Sequence, residues 1–237
     1  MSWFDLPRAP EPEVMDDSGE VEAYASAAAQ AYLNAIDDTF VDHALRLLNG
    51  RASGKALDVG TGPGQMVIKL ARRLPGWNLV GIDRSPNMIR QALAGLAAAA
   101  SSGGSADLDV AARVKFLIAD GNSLEFPDAS FDLVICNSVL HHLEMPARLL
   151  AEIARVAAPG GAILLRDLRR PSRVAYPLHV RWYGRAYSGL MYKLYCDSVR
   201  SAYTAEELLA MLRAAPLPGM RVFSHGRTHV GFERSAH

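Results

Sequence analysis

The run Ala56-Leu57-Asp58-Val59-Gly60-Thr61-Gly62-Pro63-Gly64-Gln65 constrains this chain more than any other. An apolar strand ends beside an acid, three glycines follow on alternate positions, and an amphipathic helix begins at Gln65. Glycine lacks a Cβ, so the backbone can turn tightly with its amides exposed. The helix start adds unpaired N–H groups and the positive end of a dipole. A chain built this way presents a strand-to-helix turn that a ligand can approach closely.

What surrounds the turn sets the fold class. Two helical stretches are expected first, roughly Gly19–Leu33 and Asp37–Leu48, the second with Phe40, Val41, Ala44, Leu45 and Leu48 on one face and a stop at Asn49-Gly50. Apolar strands are expected at Lys55–Val59, Asn78–Ile82, Val114–Ala119, Phe131–Asn137 and Ala162–Leu165. Helices fall between them, at Gln65–Leu74, from Ser85-Pro86 to about Leu96, and at about Pro146–Ala157. Ser101-Ser102-Gly103-Gly104-Ser105 reads as a loose connector, and Pro159-Gly160-Gly161 as a break before the fifth strand. Thr204-Ala205-Glu206-Glu207 is a capping box opening a last helix. Met220–Ser224 and Thr228–Glu233 form a closing antiparallel hairpin. Continuous apolar strands alternating with helices define an α/β fold whose parallel sheet is covered on both faces.

Three ligands compete for the glycine turn. A phosphate loop needs GxxxxGK[ST], and the nearest run, Gly50 to Gly54-Lys55, is one residue short and precedes the strand. A dinucleotide fingerprint needs GxGxxG, and Gln65 stands where its third, small residue belongs. A bare turn needs one glycine rather than three. The next two strand ends decide between these. Asp83 closes Leu79-Val80-Gly81-Ile82-Asp83, where a carboxylate can accept both hydroxyls of a ribose. Asp120, followed by Gly121, can take an adenine amino group while the open amide takes a ring nitrogen. Together they describe a nucleoside, not a pyrophosphate.

Asp58-x-Gly60-x-Gly62-x-Gly64, Gly81-Ile82-Asp83, Ala119-Asp120-Gly121, Phe131-Asp132-Leu133-Val134 with His141-His142-Leu143, and Pro159-Gly160-Gly161 stand in that order from about Lys55 to Asp167. The series resembles the motifs of class I S-adenosylmethionine-dependent methyltransferases, and is most similar to the small-molecule, ubiquinone/menaquinone-biosynthesis branch (methyltransferase type 11). The resemblance implies a Rossmann-like, doubly wound sheet of seven strands, mostly parallel with one antiparallel strand, in a single domain. It also implies S-adenosyl-L-methionine as cofactor. Gly60, Gly62 and Gly64 would bed its methionyl end and Asp58 orient it. Asp83 would take the ribose, Arg84 and Met88 flank the adenosine, Asp120 and Gly121 read the adenine, and Asn137 lie near the methionyl amine.

The acceptor is less determined. His141 is a candidate general base, or His141-His142 is a structural turn. Asp167 could bind the acceptor or pair with Arg166, Arg169 or Arg170. Residues 166–203 carry eight bases against two aspartates, with tyrosines interleaved, and are expected to cap the sheet edge. Arg169, Arg170 and Tyr183 there suit an anionic or flat acceptor. Residues 1–50 carry ten acids against two arginines. They are expected to form a helical lid that closes on the basic cap, in the same chain or a homodimer mate, with Tyr24 lining the enclosed site. Net charge is zero and the pI near neutral, which argues against nucleic acid as partner, although RNA methylation is the runner-up function and a non-catalytic binding protein the next. Asn137-Ser138-Val139-Leu140 also lacks the Asn-Pro-Pro-aromatic motif of nucleic-acid amino methylases. Two isolated cysteines, Cys136 and Cys196, give neither a disulfide framework nor a thiolate metal site, so no metal and a reducing, cytoplasmic setting are expected. An acidic, proline-bearing start and the lack of any long apolar run predict no signal peptide and no membrane span.

Overall fold

The computed structural model describes residues 3–11, 19, 27–102, 105–214 and 217–237. Helix α1 (Ala27–Leu47) leads into β1 (Ser53–Val59), α2 (Gln65–Arg73), β2 (Gly76–Asp83), α3 (Pro86–Ser102), α4 (Ser105–Arg113) and β3 (Val114–Ile118). Then come β4 (Phe131–Asn137), a 3-10 turn (Leu140–His142), α5 (Ala147–Val156) and β5 (Ala157–Leu168). Helices α6 (Tyr176–Tyr183), α7 (Gly189–Ser201) and α8 (Ala205–Ala214) precede the hairpin β6 (Arg221–His225) and β7 (His229–Arg234).

The seven strands lie in the order β3-β2-β1-β4-β5-β7-β6. Strands β1 to β5 pair in parallel, and β7 runs antiparallel to both β5 and β6. Side chains alternate faces along each strand. Ala56, Leu79 and Leu133 join Phe40, Leu70 and Trp77 in one core, while Leu57, Ile82 and Val134 join Leu149, Ile153 and Phe232 in the other. A smaller cluster, Val180, Tyr195 and Val199 with Tyr183 and Tyr187, packs α6 against α7. The capping box is formed reciprocally: the Glu207 amide donates to Thr204 Oγ1 at 3.2 Å and the Thr204 amide to Glu207 Oε2 at 2.8 Å.

Three local expectations are corrected. Residues 27–47 form one helix without the anticipated break near Leu33, and Phe40, Val41 and Ala44 bury its C-terminal half in the core. Ser101-Ser102 ends α3 and Ser105 starts an unanticipated helix, α4, that runs to Arg113, while Gly103-Gly104 lie outside the described residues. Helix α4 is held where Arg113 donates to the carbonyls of Ala71, Leu74 and Trp77 at 2.8–3.0 Å. Pro159-Gly160-Gly161 lies within β5, with a register irregularity against β4 between Phe131 and Leu133, rather than ahead of it.

The topology places the site. After β1 the chain winds outward through β2 to β3, then crosses back to β4 on the other side of β1. The carboxyl ends of β1 and β4 therefore flank a crevice where the winding reverses, the place such sheets bind ligands.

Candidate active site

A cavity of about 490 Å³ opens at that crevice. Its walls are the glycine turn, Asp83, Arg84 and Met88 after β2, Ala119–Asn122 after β3, Asn137–Val139 and His141–Leu143 after β4, part of α1, and the α6–α7 layer.

The turn is wired to its neighbours. Gly60 and Thr61 donate their amides to Ile82 O at 2.9 and 2.8 Å. Gly62 N donates to Asp83 Oδ2 at 2.8 Å, and Ser85 N to Asp83 Oδ1 at 2.9 Å. Asp83 thus joins the loop after β1 to the loop after β2. Asp120 Oδ1 accepts from the backbone and side-chain nitrogens of Asn122 at 2.8 and 3.1 Å. All three glycines have left-handed φ, but for different reasons. A Cβ at Gly60 would fall onto Val139, and one at Gly64 would lie 2.5 Å from Phe116. A Cβ at Gly62 would meet no atom within 4 Å. Gly60 and Gly64 are therefore set by packing, and Gly62 alone leaves its open side to the cavity.

Four carboxylates, Asp37, Asp58, Asp83 and Asp120, line this cavity, and Arg84 is the one Lys or Arg among its described lining residues. Asp58 is 4% exposed and accepts from Thr61 Oγ1 at 2.8 Å. Burial, reinforced by the charges of Asp83 and Asp37 and opposed by that hydroxyl, lifts its pKa to about 7. Burial likewise lifts Asp37 to about 6, against the pull of Lys69 and Arg166.

His141 and Asp167 are brought together. Asp167 Oδ1 lies 2.5 Å from His141 Nδ1, and its Oδ2 accepts the His141 amide at 2.9 Å. Both residues are buried. Burial opposes charging the His141 ring, yet Asp167 on one nitrogen and Glu11 on the other outweigh it and lift the pKa to about 10. Asp167 is thus committed to a histidine that the sequence reading had not paired it with.

The arginines of the 166–203 segment do not converge on the cavity. Arg166 donates to Asn137 Oδ1 at 3.1 Å, Thr39 Oγ1 at 2.8 Å and Ile36 O at 3.1 Å, which locks α1 to the sheet. Arg170 is buried among Leu6 O, Ala202 O and Glu207 Oε1. Arg169 pairs through its backbone with Tyr203 and Thr228, outside the described lining. Tyr183 does line the cavity, beside Tyr187, Met191, Leu194 and Tyr195. Tyr24 lies outside the described residues. Two of the described acids of α1 face α2, with Asp38 meeting Lys69 at 2.7 Å and Asp42 meeting Arg73 at 3.3 Å, while the third, Asp37, lines the cavity.

Sequence reasoning missed Asp37 and Thr39 of α1, Ser198 of α7, and His225, Thr228 and His229 of the hairpin, all of which line the cavity. Burial keeps the His229 ring neutral, with a pKa near 3, and depresses His225 as well. Only the hairpin's turn signal marked this region, and it says nothing of what the turn faces.

A parallel sheet with β7 inserted antiparallel, and an acid-lined crevice over a glycine turn, define a methyltransferase of the Rossmann-like class. Residues 57–165 match the family model described as a methyltransferase domain. A demethylmenaquinone methyltransferase of Thermus thermophilus is 32% identical over 175 residues, covering 70% of this chain and 74% of that one. The chain belongs to the class I S-adenosylmethionine-dependent methyltransferases. Another demethylmenaquinone methyltransferase, from Roseiflexus castenholzii, is 31% identical over 118 residues but is covered over only 44% of its length. A crystal structure of an S-adenosylmethionine-dependent methyltransferase from Aquifex aeolicus superposes with a TM-score of 0.60 at 18% identity, over 92% of this chain and 97% of that one. Among the described residues no helix is long and apolar enough to cross a membrane.

Proposed function

We propose that this enzyme methylates a small molecule with a flat, largely apolar and uncharged body, held between the tyrosine-bearing α6–α7 layer and the hairpin. The supporting observation is the lining on that side: Leu168, Tyr183, Tyr187, Met191, Leu194 and Tyr195, with Ser198, Thr228 and neutral histidines as polar contacts. An anionic acceptor, expected from the basic 166–203 segment, loses its motive, because Arg166 and Arg170 are committed to Thr39, Ile36, Leu6, Ala202 and Glu207.

The residues present fit S-adenosylmethionine, whose ammonium and sulfonium are cationic. Four carboxylates suit such a ligand and would repel a pyrophosphate. When bound, the cofactor supplies a methyl group on a leaving group that needs no further activation. The chain's part is to bind, align and exclude water. Asp83 would accept the ribose hydroxyls, Asp120 and Gly121 would read the adenine, Arg84 and Met88 would flank it, and Asp58, Asn137 and the Gly62 backbone would hold the methionyl end. Asp167 is a positioning residue: it fixes the His141 ring and amide, and so the loop after β4. With no ion present, Asp167 and Glu11 on its two nitrogens hold the His141 ring protonated, and it is a wall of the site rather than a base. Residues 1–50 serve as a lid and 166–203 as the acceptor cap.

Transfer of labelled methyl from the cofactor to a panel of phenolic, carboxylic, thiol and amine acceptors tests the reading, with calorimetry of S-adenosylhomocysteine alongside. Uncharged ring-bearing acceptors should be preferred, and Asp83→Ala should lose cofactor binding. A preference for anionic aliphatic acceptors, or unchanged binding in Asp83→Ala, would refute it.

A further inference from the structure

The N-terminal segment is tied across the rim of the cavity. Arg8 donates to the carbonyls of Ser201, His141 and Leu143 at 2.6–2.8 Å, and Ala9 N donates to Arg200 O. This delivers Glu11 to the loop after β4. Its Oε1 lies 3.2 Å from His141 Nε2 and 3.1 Å from His142 Nδ1. The two imidazole rings are neighbours, 4.2 Å between centroids. One carboxylate oxygen and two imidazole nitrogens thus converge within 4.8 Å of one another.

We propose that Glu11, His141 and His142 form a binding site for a divalent transition-metal ion, with zinc as the reference occupant. Ligand type agrees, since imidazole with carboxylate suits zinc. Spacing agrees too. Donors about 2.0–2.1 Å from a tetrahedral zinc stand about 3.4 Å apart, and the two carboxylate–imidazole separations are 3.2 and 3.1 Å. The outer contacts are also those of a metal site. Asp167 fixes His141 by its other nitrogen at 2.5 Å, as carboxylates do behind ligating histidines. Ser198 Oγ donates to Glu11 at 3.1 Å. Without an ion, each of the two contacts needs a proton between nitrogen and oxygen; the ion takes the place of both. Three protein ligands leave coordination open, and both histidines line the cavity. The proposal does not depend on which acceptor is methylated.

The test is a titration of untagged, chelator-stripped full-length protein with zinc chloride at neutral pH, in competition with a chromophoric chelator. It is repeated in Glu11→Gln and His142→Gln. The expected result is one zinc per chain, proton release on binding, and a loss of affinity in each variant of at least about tenfold, the scale on which even outer-shell partners of bound metals act. Absence of saturable binding in the parent protein, or a site that persists unchanged in both variants, would overturn the proposal. The readout is zinc binding alone, so it stands or falls separately from methyl transfer.

Discussion

The buried carboxylate behind the glycine turn makes a quantitative prediction about pH. Asp58 is surrounded by Asp37 of α1, Asp83 of β2 and Cys136 of β4, and the described residue that hydrogen-bonds its carboxylate is Thr61. Its pKa rises from an ordinary 3.8 to about 7. A carboxylate whose folded pKa exceeds its unfolded value loses stability for the fold as it ionises. The unliganded protein should therefore lose stability as pH rises from about 4 to about 7, by at most about 4 kcal/mol. The cationic cofactor reverses this by favouring the ionised form. Affinity should rise with pH up to about 7 and then level off. With a pKa of about 7, S-adenosylhomocysteine, which keeps the ammonium, should bind about tenfold more weakly at pH ~6 than at pH ~7.5, or about 1.4 kcal/mol. Calorimetry in two buffers of different ionisation enthalpy should register the proton released. Asp58→Asn should flatten both the affinity profile and the stability slope. Asp37→Asn is the control, because Asp37 titrates about one pH unit lower, near 6. Should the profile keep its slope in Asp58→Asn, or affinity rise toward acid, the charge-complementarity argument fails.

Two further outcomes follow from the packing. Gly60→Ala should destabilise the fold by about 2–4 kcal/mol in urea unfolding, from left-handed strain and a clash with Val139. Gly62→Ala should cost only about 1–2 kcal/mol of strain but weaken cofactor binding, since its added methyl enters the cavity side; equal effects of the two changes on binding would contradict the division drawn here. Arg170→Ala should lower stability by about 2–3 kcal/mol, because buried carbonyls lose their donor while Glu207 keeps 40% exposure. S-adenosylhomocysteine affinity should be unchanged, and a selective loss of acceptor turnover would instead return Arg170 to the substrate site.

Much of the acidic cavity wall was legible because its residues sit at or just past strand ends, whereas Asp37, on α1, was not. Asp58, Asp83, Asp120 and Asn137 follow apolar runs that could only be strands, and a parallel sheet brings all such ends to one edge. The third strand end needed no tertiary information beyond the rule that placed the first. Three alternate glycines read as a ligand bed; Gly60 and Gly62 line the cavity, and contacts with Val139 and Phe116 give a second reason for glycine at 60 and 64. Those contacts join residues about 80 and 50 positions apart, which no local pattern encodes. On the acceptor side Tyr183 lines the cavity, whereas Arg169 and Arg170 lie outside its described lining. A run of arginines beside tyrosines looks like an anion site when only the run is visible. Burying a guanidinium, however, requires several carbonyl or carboxylate acceptors at once, and those come from Leu6, Ile36, Thr39, Ala202 and Glu207, scattered across the chain. The same physics works in the opposite direction at Glu11. In sequence it is one acid among ten near the N-terminus, and its charge has no address. Arg8, three residues earlier, supplies the address by binding the carbonyls of the loop that carries His141 and His142. Among the described residues of the N-terminal segment, Arg8 and the carboxylate of Glu11 are what meet that loop.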